Sequence, residues 1–279
     1  MNIALPFFRH SSNPTIKTNI CKFSQHRSLL CGKTNPMTTS CHKIPRLYTP
    51  QPLNKEGAAI ELDQDQAHYI RNVMRMAETD QLRLFNGKDG EWLATITQIK
   101  KKSALLRLSK QLKPQPSTQA HIHLIFAPIK KQRLDILIEK AIELGATHLH
   151  PVLTHHTENR HIKIERINAQ IIEATEQCER LDLAKLSPLT PLPTLINQWK
   201  HTQAIHWAAE RVENASPLDK LTAPCAYLIG PEGGFSEEEC TLLKASKIIT
   251  PISLGTNILR AETACLYCLS RTNINNTGE

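Results

Sequence analysis

A loop of small residues lies between an apolar run and a helix-start signal near the C-terminal end of the sequence. It consists of Gly230, Pro231, Glu232, Gly233 and Gly234. Glycines in such a loop let the backbone adopt positive φ angles and approach a ligand closely, and the proline restricts the loop. The Glu232 carboxylate would repel a phosphate group, so the loop suits a neutral or cationic ligand better than a nucleotide phosphate.

The flanking residues predict how this loop is held. Ala226–Ile229 are apolar, bounded by turn residues and too few for a helix, so they indicate a buried strand. Ser236 and Glu239 have the spacing of a capping box, which predicts that a helix begins at Phe235 or Ser236. A strand, a bare loop and a helix in this order typically bind nucleotide-like ligands at the carboxyl ends of parallel strands.

A second stretch repeats this layout about twenty residues later. Ile252–Leu254 form a short apolar strand end, and Gly255 provides the turn. A helical pattern follows that carries Arg260, Glu262 and Cys265. The second stretch thus repeats the strand, turn and helix order of the first.

GPEGGFSEEE and SLGTNILRAETA resemble the paired motifs of the RsmE family, which are SPOUT-superfamily methyltransferases acting on N3 of a uridine in 16S ribosomal RNA. The resemblance extends from about Ile44 to the C-terminus. It implies an α/β fold with a SPOUT-type parallel sheet and a C-terminal trefoil knot, preceded by a small PUA-like β-barrel domain. It also implies S-adenosylmethionine as the cofactor and a homodimer. The cofactor-binding residues that it implies are Ile229, Gly230, Pro231, Glu232, Gly233, Gly234, Ser253, Leu254, Gly255, Ile258, Leu259 and Ala264.

Methylation of uridine N3 requires an imide to lose a proton while negative charge grows on O2 and O4 of the base. Arg260 is the first candidate to orient or stabilise the uracil, because its guanidinium donates in a planar fork. The alternative for Arg260 is a structural ion pair with Glu262 or Glu232. Glu262 resembles a pocket residue of the family and would position Arg260 or the cofactor. No residue is assigned as the general base.

The net charge of +8 is concentrated in the first 43 residues, which hold six basic residues and no acidic one. The remainder has 28 basic residues against 26 acidic ones, so an RNA-binding surface must be a local patch. The resemblance makes Arg46, His68, Arg71 and Arg75 candidate RNA contacts of the N-terminal domain, with ordinary solvated surface residues as the equal alternative for each. In the second half of the chain it points to Lys130, Lys131, Arg133 and Arg180. Arg180 ends the segment Gln177-Cys178-Glu179-Arg180, for which phosphate contact is the expected role.

The chain divides into four predicted segments. Residues 1–41 are a disordered tail, an acid-poor transit peptide or an extension upstream of a start at Met37. Residues 42–112 contain β signals, with hairpin turns at Asn86-Gly87 and Asp89-Gly90 and one helix at Gln64–Met76 whose apolar stripe is Ile70, Val73 and Met74. A proline-containing linker follows at 113–118. Strands and helices then alternate over 119–275, which predicts a parallel sheet with helical crossovers.

Other patterns exclude several functions. Eight cysteines without the apolar core of a signal peptide indicate reduced thiols and a cytoplasmic protein, and the CxxC at Cys265 and Cys268 has no second pair. The histidines between His148 and His161 lack the spacing of a metal site, so no metal is predicted, and hydrogen-bonded histidines on a loop near the ligand are favoured. No apolar run is long enough to span a membrane.

The sequence thus predicts a 16S rRNA uracil-N3 methyltransferase that acts on the small ribosomal subunit. Two alternatives remain: a SPOUT methyltransferase for another RNA position, such as a ribose 2′-oxygen, or a non-catalytic RNA-binding assembly factor. The final helix, Ala261–Ser270, is apolar nearly all round and is the predicted dimer contact.

Overall fold

The hairpin predicted at Asn86-Gly87 and Asp89-Gly90 is confirmed in the structure, a computed structural model that describes residues 44–117, 120–209, 212 and 215–273. Strands β3 and β4 flank the turn and pair antiparallel. Gly87 and Gly90 have φ angles of 81° and 77°, a conformation that disfavours residues with a Cβ atom. The alternatives for residues 1–41 lie outside the described residues.

A five-stranded sheet surrounds this hairpin, in the order β1-β3-β4-β5-β2. Its pairs are antiparallel except for β1 with β3. Register shifts between β4 and β5 bend the long strands, and one face encloses buried side chains such as Leu53, Leu62 and Leu84. The strands are β1 (Arg46–Tyr48), β2 (Ala59–Leu62), β3 (Gln81–Phe85), β4 (Glu91–Ile99) and β5 (Ala104–Lys113).

The helix predicted at Gln64–Met76 is shorter and changes type, so that prediction is corrected. It comprises α1 (Gln64–His68) and a π-helix (Tyr69–Val73). The wider π turn is closed by a bond from the Met74 amide to the carbonyl of Tyr69, 3.0 Å away. The wider turn rotates the residues that follow it about the helix axis, relative to their positions in a regular α-helix. Val73, which the apolar stripe predicted to be buried, is therefore 60% exposed.

The second half of the chain alternates strands and helices, which confirms the predicted parallel sheet. The strand order is β11-β14-β10-β13-β6-β7-β8, and every pair in it is parallel. The elements are β6 (Ile122–Phe126), α2 (Lys131–Glu143), β7 (His148–Leu153), α3 (Ile164–Gln177), β8 (Lys185–Leu186), β9 (Thr190–Pro191), α4 (Leu192–Gln198), β10 (Ile205–Ala208), β11 (Ser216–Pro217), β12 (Leu221–Thr222), β13 (Cys225–Ile229), α5 (Glu237–Ala245), β14 (Ile249–Ser253), α6 (Ala261–Ser270) and β15 (Thr272–Asn273).

Two apolar clusters cover the two faces of this parallel sheet. Ile122, Leu124 and Phe126 of β6 pack on one face with residues of α2, α3 and α6. Ile125 points to the other face, where residues of α4 and α5 cover the sheet. All five residues of β13 are buried, as the apolar run predicted for a central strand.

A buried ionic network joins the five-stranded sheet to helix α3. Nε of Arg46 lies 2.6 Å from Oε1 of Glu91, and both side chains are almost fully buried. Arg83 lies 3.7 Å from the other Glu91 oxygen and 2.8 Å from Glu179 at the end of α3. A cleft of about 590 Å³ beside this network is lined by acidic side chains that include Glu173, so its charge disfavours an RNA backbone.

Candidate functional site

The glycine loop leaves the carboxyl end of β13, the central strand. The predicted capping box is confirmed: the Ser236 hydroxyl accepts from the Glu239 amide at 3.2 Å, and the Glu239 carboxylate accepts from the Ser236 amide at 2.9 Å. Helix α5 therefore begins at Glu237. The other oxygen of Glu239 accepts from the His155 amide at 2.8 Å, which anchors the neighbouring loop after β7.

The three glycines of the loop differ in the reason that each position favours a residue without a side chain. Only Gly234 among them has a positive φ, of 70°. A Cβ atom at Gly230 would lie 2.6 Å from the ring of Phe235, and one at Gly233 would lie 3.1 Å from Cβ of His156. A side chain at Gly230 would force the Phe235 ring to move, and one at Gly233 would press on His156, while at Gly234 the backbone conformation itself favours glycine.

The second loop leaves the same edge of the sheet. Strand β10 pairs with both β13 and β14, so the loops after these two strands flank its carboxyl end. Gly255 has a φ of 112°, and its amide donates to the Ser253 hydroxyl at 3.3 Å. Ile258 is 63% exposed although it is apolar, and Leu254 and Leu259 are partly buried. Cβ atoms built at Gly234 and Gly255 would meet no atom within 4 Å, so open space lies beside both loops.

An arginine from α2 connects the two loops. Nη1 of Arg133 lies 3.3 Å from Oε1 of Glu232, and Nε lies 3.6 Å from Oε1 of Glu262. The Glu262 side chain is only 13% exposed, and its second oxygen is buried without a hydrogen-bond partner among the described residues. Arg133 was predicted to contact RNA, but the structure assigns its guanidinium to these two carboxylates. Sequence reasoning missed this role because α2 lies about 100 residues before Glu232.

Arg260 is exposed and is the N-cap residue of α6, so it lies one position before the first residue of that helix, Ala261. Arg260 forms no ion pair with any of the described residues. The structural ion pair with Glu262 or Glu232, which was the alternative to a role in substrate binding, is therefore not formed. Arg133 occupies both carboxylates instead. The Arg260 side chain is therefore exposed beside the second loop without an ion-pair partner among the described residues.

Two of the predicted RNA contacts are corrected because their guanidinium groups are used inside the protein. Arg46 pairs with Glu91, donates to the carbonyl of Thr175 at 2.7 Å and lies 3.6 Å above the centre of the Phe85 ring. Burial lowers the pKa of Arg46 despite the nearby carboxylate. Arg180 donates to the carbonyls of Ile142 and Ala146 at 2.7 and 2.9 Å and pairs with Asp182.

The other candidate RNA contacts lie at the surface. Arg75 is exposed with a φ of 55°, Arg71 is half-buried, and His68 is exposed in the same short helical segment. Lys130 and Lys131 are exposed at the start of α2, where Lys130 lies 3.7 Å from Glu158.

The histidines and cysteines of the predicted site are placed as follows. Nδ1 of His156 lies 3.2 Å from the Gly234 carbonyl, which agrees with the prediction of a histidine on a loop near the ligand.

Cys265 and Cys268 are free thiols buried in α6, and burial raises the pKa of Cys268 to about 12. Both thiols contribute to the apolar core beneath the sheet, and their buried position favours a packing role for the CxxC spacing.

Comparisons with known proteins agree with this geometry. Residues 115–273, more than half of the chain, match the RNA methyltransferase domain family, and residues 62–109 match the RNA methyltransferase PUA domain. A Rickettsia conorii protein named ribosomal RNA small subunit methyltransferase E is 36% identical over 82% of this chain and 95% of its own length. The chain belongs to the ribosomal RNA small subunit methyltransferase E family.

Solved structures show the same fold for this family member. A methyltransferase from Legionella pneumophila, determined with bound cofactor SAM, is 30% identical over 81% of this chain and 96% of its own, with a TM-score of 0.69. The ribosomal RNA small subunit methyltransferase E of Neisseria gonorrhoeae, bound to S-adenosyl methionine, is 24% identical with a TM-score of 0.70, covering 81% of this chain and 95% of its own. The second likeness, at this identity, bears on the fold alone.

Proposed function

We propose that this protein transfers a methyl group from S-adenosylmethionine to N3 of a uridine in the 16S rRNA of the small ribosomal subunit. One observation carries the proposal: two bare-backbone loops leave one edge of the parallel sheet, and two carboxylates and a free arginine lie beside them. Family membership supports the same reaction class and cofactor.

The residues present fit this cofactor. Open space lies beside Gly234 and Gly255, where a ligand can approach the backbone. The unpartnered oxygen of Glu262 is a buried acceptor that needs a donor, and a ligand amino group supplies one. Glu232 and Glu262 carry two negative charges against the single positive charge of Arg133, which favours a cationic ligand over a phosphorylated one.

S-adenosylmethionine supplies a methyl group on a positively charged sulfur. The protein's part is to hold the uracil in line with that methyl and to stabilise the charge that grows on the base. Arg260 performs this by donating to O2 or O4 of the uracil. Arg133 keeps Glu232 and Glu262 in place, and the exposed Ile258 covers the apolar side of the pocket.

Surface residues around the pocket support an RNA substrate. Lys130 and Lys131 lie at the start of α2, beside Arg133. Arg71 and Arg75 form a second basic group on the N-terminal sheet domain, next to the exposed ring of Tyr69, which offers a stacking surface for a base. Of the predicted RNA-binding positions we retain these four, and we withdraw Arg46, Arg133 and Arg180, whose guanidinium groups bind partners within the protein.

The proposal includes the chain's organisation and assembly. We propose a division into 42–112 and 119–275 from the sequence pattern and a cytoplasmic location from the cysteine usage. The trefoil knot at the C-terminal end and the homodimer are proposed from the family resemblance. Most apolar residues of α6 pack inside the chain, so the dimer rests on fewer exposed groups than the sequence indicated: Tyr267 of α6 and Ile136 of α2. None of the described helices is long and apolar enough to cross a membrane.

The test is methylation of small ribosomal subunits purified from a strain that lacks the enzyme. We expect the protein with S-adenosylmethionine to produce 3-methyluridine, identified by mass spectrometry of the rRNA nucleosides. A 2′-O-methylated nucleoside would instead indicate the other SPOUT activity. No methylation together with no heat of S-adenosylmethionine binding in calorimetry would indicate a non-catalytic RNA-binding factor.

A further inference from the structure

Five histidines gather at the amino ends of strands β6 and β7, at the edge of the sheet opposite to the glycine loops. His121 precedes β6, His123 lies in β6, and His148 and His150 lie in β7, where His123 is the register partner of His148. His201 follows α4, and its ring centre lies 4.4 Å from that of His123. The sequence did not predict this cluster because its members come from three separate segments.

One ring nitrogen from each of three of these histidines lies close to the other two. His121, His123 and His148 each have one ring nitrogen, and the three nitrogens lie within 4.8 Å of one another. Ligands of a tetrahedral ion at 2.0–2.1 Å lie roughly 3.3 Å apart. The rings of His123 and His148 are stacked at an angle of 16°, so the rings must turn as well as close for their lone pairs to meet at one ion. His121 is exposed and His148 is half-buried, and rotation of their side chains provides that movement.

The buried ring of His123 has an unpartnered nitrogen. Its exposed fraction is 0%, and Nε2 is buried with no hydrogen-bond partner among the described residues. Its other nitrogen, Nδ1, lies 3.0 Å from Nε2 of His150. A buried polar atom without a partner is costly and calls for a ligand or a water. An ion bound between His121, His123 and His148 would satisfy it.

The neighbouring hydrogen bonds can select the ligating tautomer of each ring. Nδ1 of His150 lies 2.9 Å from the Ser187 hydroxyl, so His123 can donate to His150 while His150 donates to Ser187. This leaves the lone pair of His123 on Nε2. The Thr147 hydroxyl lies 2.9 Å from Nδ1 of His148, which leaves Nε2 of His148 for an ion. Hydrogen bonds of this kind orient the histidine ligands of metal sites.

Burial favours the neutral form of His123 and His148, and the neutral imidazole is the form that binds a metal ion. Burial, reinforced by the neighbouring histidines, lowers the pKa of His123 to about 3. Burial, reinforced by Lys185 and two histidines, lowers the pKa of His148 to about 4. A set of neutral imidazoles without carboxylates suits Zn²⁺, Ni²⁺ or Cu²⁺ and does not suit Mg²⁺ or Ca²⁺.

We propose that His121, His123 and His148 form a binding site for a divalent transition-metal ion such as Zn²⁺, and that the exposed His201, whose ring centre lies 4.4 Å from that of His123, turns toward the ion as a fourth ligand. The site is separated from the glycine loops by the length of the strands, so its role is structural. The ion links β6, β7 and the segment after α4, and Trp199 shields it by packing edge-on against His123. This inference does not depend on the proposed methyltransferase activity.

The test is titration of the untagged, metal-free full chain with Zn²⁺ by calorimetry and with Co²⁺ by visible absorption. We expect one ion per chain and the absorption of a tetrahedral Co²⁺ site. His121→Gln and His148→Gln each replace a solvent-accessible ligand, so both variants should fold, and each should weaken binding at least 10-fold. His161→Gln removes an exposed histidine outside the cluster and should bind as the unmodified chain does.

Thermal unfolding gives an independent measurement. Zn²⁺ should raise the melting temperature of the unmodified chain and of His161→Gln, because an ion that binds only the folded state stabilises it. It should have no such effect on the His121→Gln/His148→Gln double variant. The proposal is overturned if the unmodified chain binds no stoichiometric Zn²⁺, or if the double variant retains its affinity.

Discussion

Nε of Arg133 lies 3.6 Å from Oε1 of Glu262, which joins the first turn of α2 to the first turn of α6. The same guanidinium contacts Glu232 in the glycine loop at 3.3 Å. Two carboxylates that share one arginine repel each other once that arginine is removed, and Glu262 is mostly buried. Arg133 therefore holds the relative position of the two loops that form the proposed pocket.

Replacing Arg133 should weaken cofactor binding more than RNA binding. We expect Arg133→Ala to lower the affinity for S-adenosylmethionine by about 10-fold, or roughly 1.4 kcal/mol. Arg133→Lys should recover only part of this loss, because one ammonium group replaces a planar fork that reaches both carboxylates. Calorimetry with S-adenosylmethionine and filter binding with rRNA fragments measure the two affinities. A loss confined to RNA affinity would return Arg133 to the phosphate-contact role predicted from sequence.

Gly234 and Gly57 form a matched pair for testing the glycine loop. Their φ angles are 70° and 80°, and a Cβ atom at either would meet no atom within 4 Å. Alanine at each position should cost a similar strain of about 1–2 kcal/mol, seen as similar losses of melting temperature. Only Gly234→Ala should also weaken S-adenosylmethionine binding, because its new methyl group enters the pocket. Equal cofactor affinities for the two variants would remove Gly234 from the binding site.

The local elements of this loop were predictable because they depend on neighbouring residues. The apolar run before Gly230 and the spacing of Ser236 and Glu239 are short-range signals, and the structure has the predicted strand and capping box. Which glycine takes positive φ was not predictable. The reasons for Gly230 and Gly233 lie in the positions of Phe235 and His156, which depend on tertiary packing.

The basic residues show where sequence reasoning fails. Arg46 and Arg71 are the same residue type in one predicted RNA-binding domain, but Arg46 is buried against Glu91 while Arg71 stays near the surface. The partner of Arg46 lies 45 residues away and the carbonyl acceptor at Thr175 lies 129 residues away. The histidine cluster was missed for the same reason, since strand pairing alone places His123 next to His148.

The buried pair of Arg46 and Glu91 should matter for stability. Removing one partner of a buried ion pair leaves the other charge uncompensated, so Glu91→Gln should lower the free energy of unfolding by about 3–5 kcal/mol. Glu139→Gln is the control, because Glu139 pairs with Lys140 at the surface, where a pair contributes about 0–1 kcal/mol. Urea unfolding measures both. Similar small losses for the two variants would mean that Arg46 is not held by its carboxylate.

Arg260 provides the sharpest test of the proposed chemistry. If it holds O2 or O4 of the uracil as negative charge develops, its contribution is largest in the transition state, and Arg260→Ala should lower kcat by at least about 100-fold. Arg260→Lys should be nearly as damaging, because lysine keeps the charge but loses the two-point planar donation. The affinity for S-adenosylmethionine should change much less in both variants, since Arg133 rather than Arg260 contacts Glu232 and Glu262.

Single-turnover methylation of small ribosomal subunits, measured beside the melting temperature of each variant, decides the role of Arg260. A catalytic role predicts slow methylation with unchanged melting temperatures, since the exposed Arg260 side chain forms no ion pair within the described part of the chain. A role in helix capping alone predicts lower melting temperatures and near-normal methylation by the correctly folded fraction. Near-normal turnover of Arg260→Lys would end the catalytic assignment, because a single ammonium group cannot hold the base in line with the methyl as the guanidinium fork does.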